Sequence, residues 1–150
     1  MATVKIIAGT KTALTSASLG TLASATYCVS STYNNTTNNP IDLTVETTVA
    51  TTNTPGGNKQ VVVFAQASYD NTNWQTGPTS GTSTTDERLL TFLGTIPLQT
   101  ASVTQTKAFN VSDAYGGVLP PYVRIIHKND LGVALTTGTV ATVEYSSTVA

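Results

Sequence analysis

The chain has 150 residues, of which 39% are hydrophobic and 10% are charged, and its formal net charge is −1. Its seven lysines and arginines are too few for the basic face that binds nucleic-acid phosphates. No basic amphipathic stretch indicates a membrane surface either. We therefore expect neither nucleic acid nor membrane as a partner.

Threonine is the most informative residue type, because it makes up 31 of the 150 residues. Its β-branched side chain is stiff at χ1, disfavours helices and suits a pleated, half-buried surface. The single cysteine, Cys28, excludes a disulfide within the chain. Burial as a small apolar residue is favoured for it over an interchain disulfide. The composition predicts a chain built of strands and turns.

The first 25 residues permit two interpretations. A strand is predicted at Val4–Ala8, while low charge and many threonines also suit an extended docking arm over residues 1–25. Residues 12–25 have three leucines roughly on one side, but their Ser, Thr and Gly content argues against a helix. Lysines and threonines interrupt the apolar run that a secretory signal needs, so we expect synthesis in a cytoplasm.

Alternation of apolar and polar side chains predicts most of the other strands. Residues 41–46 place three aliphatic side chains on one face, as a half-buried strand requires. Gln60–Ser68 is more continuously apolar, which indicates a central strand covered on both faces. The remaining predicted strands are residues 24–33, 89–93, 103–111, 122–128 and 139–146.

Turn-forming residues separate these strands at positions 34–40, 55–58 and 129–132. A Gly/Ser/Thr-rich stretch at 77–85 predicts a mobile loop. About eight short strands with regular turns are typical of a β-sandwich. We therefore predict an all-β fold, a single antiparallel β-sandwich or jelly-roll domain over residues 1–150.

Residues that carry catalysis are scarce. Ser-His-Asp chemistry needs a histidine, and His127 is the only one in the chain. It alternates with Ile125 in a predicted strand, which favours a strand histidine near a sheet end over a catalytic base. Phosphate-binding glycine loops and the Gly-x-Ser-x-Gly elbow are absent. We therefore expect a non-enzymatic protein without a cofactor.

The turn at residues 70–74 is the best candidate for a site. Its oxygen-rich side chains could coordinate calcium, but it lacks the glycine and the distal glutamate of an EF-hand loop. A hairpin tip in which Asp70 bonds its own backbone is the favoured interpretation, and we expect no metal. Trp74 could pack as a core anchor or stay exposed with Tyr69 as a platform for sugar rings. The platform would make the chain a carbohydrate-binding module.

Several sequence motifs resemble a known group of proteins. Residues 67–74 hold a Ser-x-Asp turn, and residues 93–97 read Leu-Gly-x-x-Pro. Residues 109–120 read Phe-x-Val-x-x-Ala-Tyr-Gly-Gly-Val-Leu-Pro. Over residues 61–144 the chain resembles small virion structural proteins of tailed bacteriophages. Such relatives often have glycine after the turn aspartate, where this chain has Asn71, a residue that tolerates positive φ.

The resemblance implies a non-enzymatic structural role in the virion, after synthesis in the host cytoplasm. The most specific expectation is a capsid decoration, or cement, protein that binds the major capsid protein on the head exterior and self-associates as a homotrimer. A tail, baseplate or fibre protein is the alternative. Aromatic and proline side chains lose little entropy on binding. They favour an interface, or alternatively a rigid crossover between sheets, at Tyr115, Leu119, Pro120, Pro121 and Tyr122.

Overall fold

The computed structural model describes residues 3–83 and 86–149, without the side chain of residue 86. They form two antiparallel sheets that face each other. Sheet 1 contains β1 (Val4–Ala8), β2 (Thr12–Leu14), β5 (Asp42–Ala50), β8 (Gln105–Asn110) and β10 (Thr137–Val149). Sheet 2 contains β3 (Tyr27–Val29), β4 (Tyr33–Asn34), β6 (Gln60–Ser68), β7 (Thr91–Pro97) and β9 (Tyr122–Asn129).

The ten strands occupy eight positions in the sandwich. In sheet 1 the order is β1-β10-β5-β8, and β2 pairs with β10 on the same side as β1. In sheet 2 the order is β3-β9-β6-β7, and β4 follows β3 along β9. This strand order is that of a jelly roll: β6 and β7 are neighbours in sheet 2, and the other consecutive positions lie in different sheets. The predicted all-β sandwich is therefore confirmed, with two of its eight positions each filled by a broken strand.

The main core lies between the sheets and follows from two-residue alternation. Along β5, the side chains of Leu43, Val45, Thr47 and Val49 are buried, and those between them are half-buried. From sheet 2, alternate residues of β6 and β9 fill the other side of the same cluster. Burial of such aliphatic side chains, each contributing about 1.5–3 kcal/mol, is what holds the two sheets together.

Sheet 2 is covered on its outer face as well. Val62 and Phe64 alternate with the core residues of β6 and belong to a second cluster with Tyr27, Leu90 and Ile126. In β6 the eight residues after Gln60 are all buried. The prediction of a central strand covered on both faces is therefore confirmed.

The segment that covers this face, residues 77–83 and 86–90, we call the strap. The Oγ of Ser80 accepts the Val29 N–H at 2.9 Å, and the Gly81 N–H donates to the Tyr27 carbonyl at 2.7 Å. The Tyr27 hydroxyl in turn donates to the Glu87 carboxylate at 2.8 Å. The strap therefore closes the outer edge of β3, where a mobile loop was predicted; positions 84 and 85 of that prediction lie outside the described residues.

The first 25 residues follow the strand interpretation over their described part. After β1 and β2 comes a single 3-10 turn, Leu19–Thr21, in place of a longer helix. Leu14, Leu19 and Leu22, the three leucines noted in the sequence, are all in the main core.

Other boundaries differ from the predicted ones for local reasons. The predicted strand 24–33 is two short strands, β3 and β4. The predicted strand 103–111 ends at Asn110, because the Asn110 side chain accepts the Asp113 N–H at 2.9 Å and caps the short helix α1 (Val111–Ala114). The segment 89–93 begins in a 3-10 helix, Asp86–Leu89, before β7. A side-chain cap of this kind competes with strand pairing.

Two predicted turns meet backbone to backbone at one end of the sandwich. The N–H groups of Gly56 and Gly57 both donate to the Leu131 carbonyl, at 2.9 and 2.8 Å. A Cβ on Gly57 would lie 2.7 Å from the Asp130 carbonyl oxygen, and one on Gly132 would lie 2.7 Å from the Gly57 nitrogen. Gly132 also has φ +76°, a conformation that favours glycine. We call this contact the glycine clasp.

Candidate interaction surfaces

The most exposed apolar surface is a two-stranded extension of sheet 1. Pairing of β10 with β5 ends at Tyr145, whereas its pairing with β1 continues to Val149. Residues 4–8 and 145–149 thus form what we call the terminal ribbon. Val4, Ile6 and Val149 are 66%, 68% and 73% exposed. The register and the two-residue period place these three side chains on one face.

The sequence predicted both strands of the terminal ribbon but not their pairing. The predicted last strand ended at residue 146, so its extension to Val149 was missed. Alternation of Val4 with Ile6 is a signal for a strand but does not say that the apolar side chains lie outside the core. Exposure follows from the place of β1 at the sheet edge, which no local pattern encodes.

The Asp70 turn is held together by its own polar groups. Asp70 Oδ1 accepts the N–H groups of Thr72 and Asn73 at 2.8 and 2.7 Å, and Oδ2 accepts the Asn73 side-chain amide at 2.6 Å. These donors, led by the Asn73 N–H, hold the pKa of Asp70 well below its usual range. Asn71 has φ +60°, as its position after the turn aspartate suggested. The carboxylate oxygens therefore serve the turn itself, in agreement with the favoured interpretation.

Trp74 lies against the outer face of sheet 2 and is half-buried. It forms an isolated bridge with Ser68, and the guanidinium of Arg124 lies 3.8 Å from the centre of its ring. The Arg124 Nε–H donates to Thr32 Oγ1 at 3.1 Å, which fixes the guanidinium over the indole. Tyr69, next to the turn, is 79% exposed. Trp74 belongs to neither apolar cluster, and a sugar ring could stack only on its face opposite Arg124.

The segment predicted as an interface crosses from sheet 1 to sheet 2. Leu119 and Pro120 are buried, Leu119 in the main core. Tyr115 packs against that core, and burial raises the pKa of its hydroxyl. Pro121 and Tyr122 are half-buried. This placement agrees with the rigid-crossover alternative for Leu119 and Pro120, while an interface role for the other three stays a prediction.

The exposed part of this crossover lies between the predicted residues. Val118 is 72% exposed, and Gly116 and Gly117 before it have φ values of +72° and +88°. Val118 was not among the predicted surface residues, because its place in the Gly-Gly-Val-Leu-Pro motif does not distinguish an exposed valine from a buried one.

His127 lies in the core between the sheets, two residues before the end of β9, as expected of a strand histidine near a sheet end. Its side chain is fully buried, and its Nε2 is 3.0 Å from Thr47 Oγ1 on β5. Burial lowers the pKa of the imidazole to about 3, so it is neutral at physiological pH. A substrate at the surface cannot reach this ring, so it does not supply the base of a Ser-His-Asp site. Cys28 is also buried, with the Ser18 hydroxyl 3.2 Å from its sulfur.

Within residues 3–83 and 86–149, no three His, Cys, Asp or Glu side chains cluster in a way that could hold a metal ion. Among the helices of this described part, none is long and apolar enough to cross a membrane.

Comparison with known proteins gives little to add to this geometry. No family model matches the chain, and no curated protein matches it either. Among solved structures, the chain is similar to part of a protein whose structure is described as BuGH86wt in complex with neoagarooctaose. The identity is 13% and the TM-score 0.42, over 99% of this chain but 20% of that protein. At these values the likeness assigns no function.

Proposed function

We propose that the protein is a non-enzymatic structural component of a tailed-bacteriophage virion, a decoration protein that binds the major capsid protein on the head exterior. The observation that carries the proposal is the terminal ribbon, because it presents the aliphatic side chains of Val4, Ile6 and Val149 to solvent on one face. Large exposed apolar surface usually marks a site of protein interaction. The jelly-roll strand order, which recurs in viral capsid and lectin domains, is compatible with this role.

The remaining surface also suits a shell component. The outer face of sheet 1 carries a row of three threonines, which the register places side by side on β8, β5 and β10: Thr106, Thr48 and Thr139. Neutral hydroxyl groups of this kind cost less to cover than charged groups, because an ion loses much more hydration free energy on burial. A decoration protein would bury such surface between capsid subunits and so resist the outward pressure of packaged DNA.

The proposal is tested on particles of the phage that encodes the chain. We expect mass spectrometry of purified virions to detect the protein and cryo-EM to place it on the head. Heads assembled without it should release DNA at a lower temperature than complete heads. Its absence from purified particles would contradict the proposal, and density on the tail, baseplate or fibre would establish the alternative location.

Carbohydrate binding is the second candidate, and the exposure of Tyr69 beside the Trp74 turn favours it. A sugar ring stacks on an exposed aromatic face. If this function is correct, Tyr69→Ala should abolish binding on a glycan array while thermal unfolding stays unchanged. Trp74→Ala serves as the second variant, and Val118→Ala, also at an exposed position, serves as the control. Failure of the wild type to bind any glycan would exclude this candidate.

A further inference from the structure

The outer edge of β1 is an open strand edge with a defined hydrogen-bonding phase. The Gly9 N–H donates to the Glu144 carbonyl at 2.7 Å, so Gly9 points its backbone groups toward β10. Backbone direction alternates along an antiparallel strand, so Lys5 and Ile7 also point toward β10. Val4, Ile6 and Ala8 therefore direct their N–H and C=O groups away from the sheet. An exposed row of such groups is a template for pairing with another strand.

At two other sheet edges in the described part of the chain, backbone groups are bonded by the strap or by a side chain. The strap bonds to the outer edge of β3. On the opposite side of the sandwich, the Lys107 ammonium on β8 donates to the Thr95 carbonyl on β7 at 2.9 Å. This side-chain donor occupies one backbone acceptor of β7. Within residues 3–83 and 86–149, no side chain or loop bonds to the outer edge of β1, and all five of its side chains are exposed.

From this geometry we infer that β1 is a self-association site, at which two copies of the chain pair antiparallel about a two-fold axis through Ile6. That register places Val4 opposite Ala8 and Ile6 opposite its own copy. All three outward-pointing residues then exchange backbone hydrogen bonds with an outward-pointing residue of the other strand. The apolar face of one ribbon, with Val4, Ile6 and Val149, continues directly into that of the other.

Charge favours the register with its axis through Ile6 over the register with its axis through Lys5. With the axis through Ile6, each Lys5 ammonium lies opposite the aliphatic side chain of Ile7. With the axis through Lys5, two ammonium groups would lie directly opposite each other, which destabilises an antiparallel pair. A second copy is therefore a suitable occupant, because the outward backbone groups of the two strands match in this register and no two ammonium groups lie directly opposite each other.

The pairing would turn two separate ribbons into one four-stranded sheet. Two-stranded ribbons are marginally stable in water, whereas sheets of three or more strands with an apolar face are stable. An interface of two five-residue strands is small, so we expect a weak dimer with a dissociation constant roughly in the micromolar range. The pairing itself does not depend on the proposed function; only its biological role does. On a particle surface, many weak contacts of this kind would act together, because neighbouring copies are held at a high effective concentration.

Analytical ultracentrifugation of the full chain over a concentration series tests the inference with two matched variants. Ile6→Asp places two carboxylates opposite each other at the axis, whereas Ile7→Asp places a carboxylate opposite Lys5 of the other copy. Each variant replaces one exposed isoleucine of β1 with aspartate, so the two variants carry the same net charge. We expect the wild type to dimerise, Ile6→Asp to raise the dissociation constant at least about tenfold, and Ile7→Asp to change it by less than about threefold.

Each other outcome overturns the inference. A wild type that stays monomeric throughout, a trimer, or an equal effect of the two variants would each be incompatible with two-fold pairing at Ile6. Thermal unfolding of both variants verifies that the sandwich is intact. The proposed function is tested separately, by detection of the protein in purified virions. If the protein dimerises but is absent from the particles, the proposed function is wrong and the pairing at β1 is unaffected.

Discussion

The two sheets of the sandwich differ in how their outer faces are covered. Sheet 2 buries apolar side chains on both faces, and the strap covers its outer cluster and closes the edge of β3. Sheet 1 leaves a row of threonines on its outer face and ends in the terminal ribbon, where Ile6 is 68% exposed. Burial therefore concentrates the stabilising contacts around sheet 2. Sheet 1 presents the terminal ribbon to partners, while Tyr69 stays exposed beside sheet 2.

The contrast predicts very different costs for the same substitution. Ile125→Ala in β9 removes a side chain that is 1% exposed, so it should lower the free energy of unfolding by about 2–5 kcal/mol. Ile6→Ala in the terminal ribbon should change it by less than about 0.5 kcal/mol. Urea denaturation measures both. Equal costs would show that the ribbon is part of the stabilising core.

A substitution that adds a side chain where β7 packs against β8 should also destabilise the protein. A Cβ on Gly94 would lie 2.9 Å from the buried ring of Phe109, at φ +150°. Gly94→Ala should therefore cost about 1–3 kcal/mol of unfolding free energy, because the ring must move within a packed interior. Gly56→Ala, where nothing lies within 4 Å of the new Cβ, is the matched control. A neutral Gly94→Ala would indicate that β7 and β8 are less tightly joined than described.

Acid should weaken the junction between the sheets through His127. Its pKa is about 3 in the folded chain and about 6.5 in an unfolded one. Between these values the unfolded chain binds the extra proton, so stability falls as pH falls. The slope is about 1.4 kcal/mol per pH unit, or about 2 kcal/mol between pH 6.5 and 5. Denaturation of wild type and His127→Gln at several pH values isolates this contribution. The same slope in both proteins would contradict it.

The smallest effect is expected at the strap. Ser80→Ala removes the acceptor of the Val29 N–H and should cost about 0.5–1.5 kcal/mol. Hydrogen exchange at Val29 should become faster, because its amide then faces solvent. Ser146→Ala in the terminal ribbon, where the serine is exposed, should leave both quantities unchanged. Unchanged exchange at Val29 in Ser80→Ala would mean that the strap does not close this edge.

The fold was largely predictable, because the alternation of apolar and polar side chains along a strand is a local signal and matches the burial seen in the core. The burial of β6 on both faces and the alternation of β5 both follow from side-chain polarity. The splitting of 24–33 into two strands does not, because it depends on the pairing of both pieces with β9. Likewise, Asn110 ends β8 through a cap that becomes visible only once the Asp113 N–H is in place.

The candidate surfaces were harder to predict, since exposure is a property of the assembled sandwich. Leu119 and Pro120 belong to a motif that suggested either a contact surface or a rigid crossover, and the crossover buries both. Val4 and Ile6 belong to a predicted strand, and the sheet edge exposes both side chains. The sequence carried no clue that Arg124 covers one face of Trp74, because the two residues are 50 positions apart.

The glycine clasp constrains how this sequence can vary. Because each glycine occupies the space that a Cβ of the other loop would need, a side chain at position 57 or 132 forces both loops to move. The two positions are distant in sequence and yet depend on each other. We expect relatives of this chain to keep glycine at both positions, or to replace both together with loops of different length. Insertions and fusions should accordingly be tolerated at the Asp70 turn and rejected at the clasp.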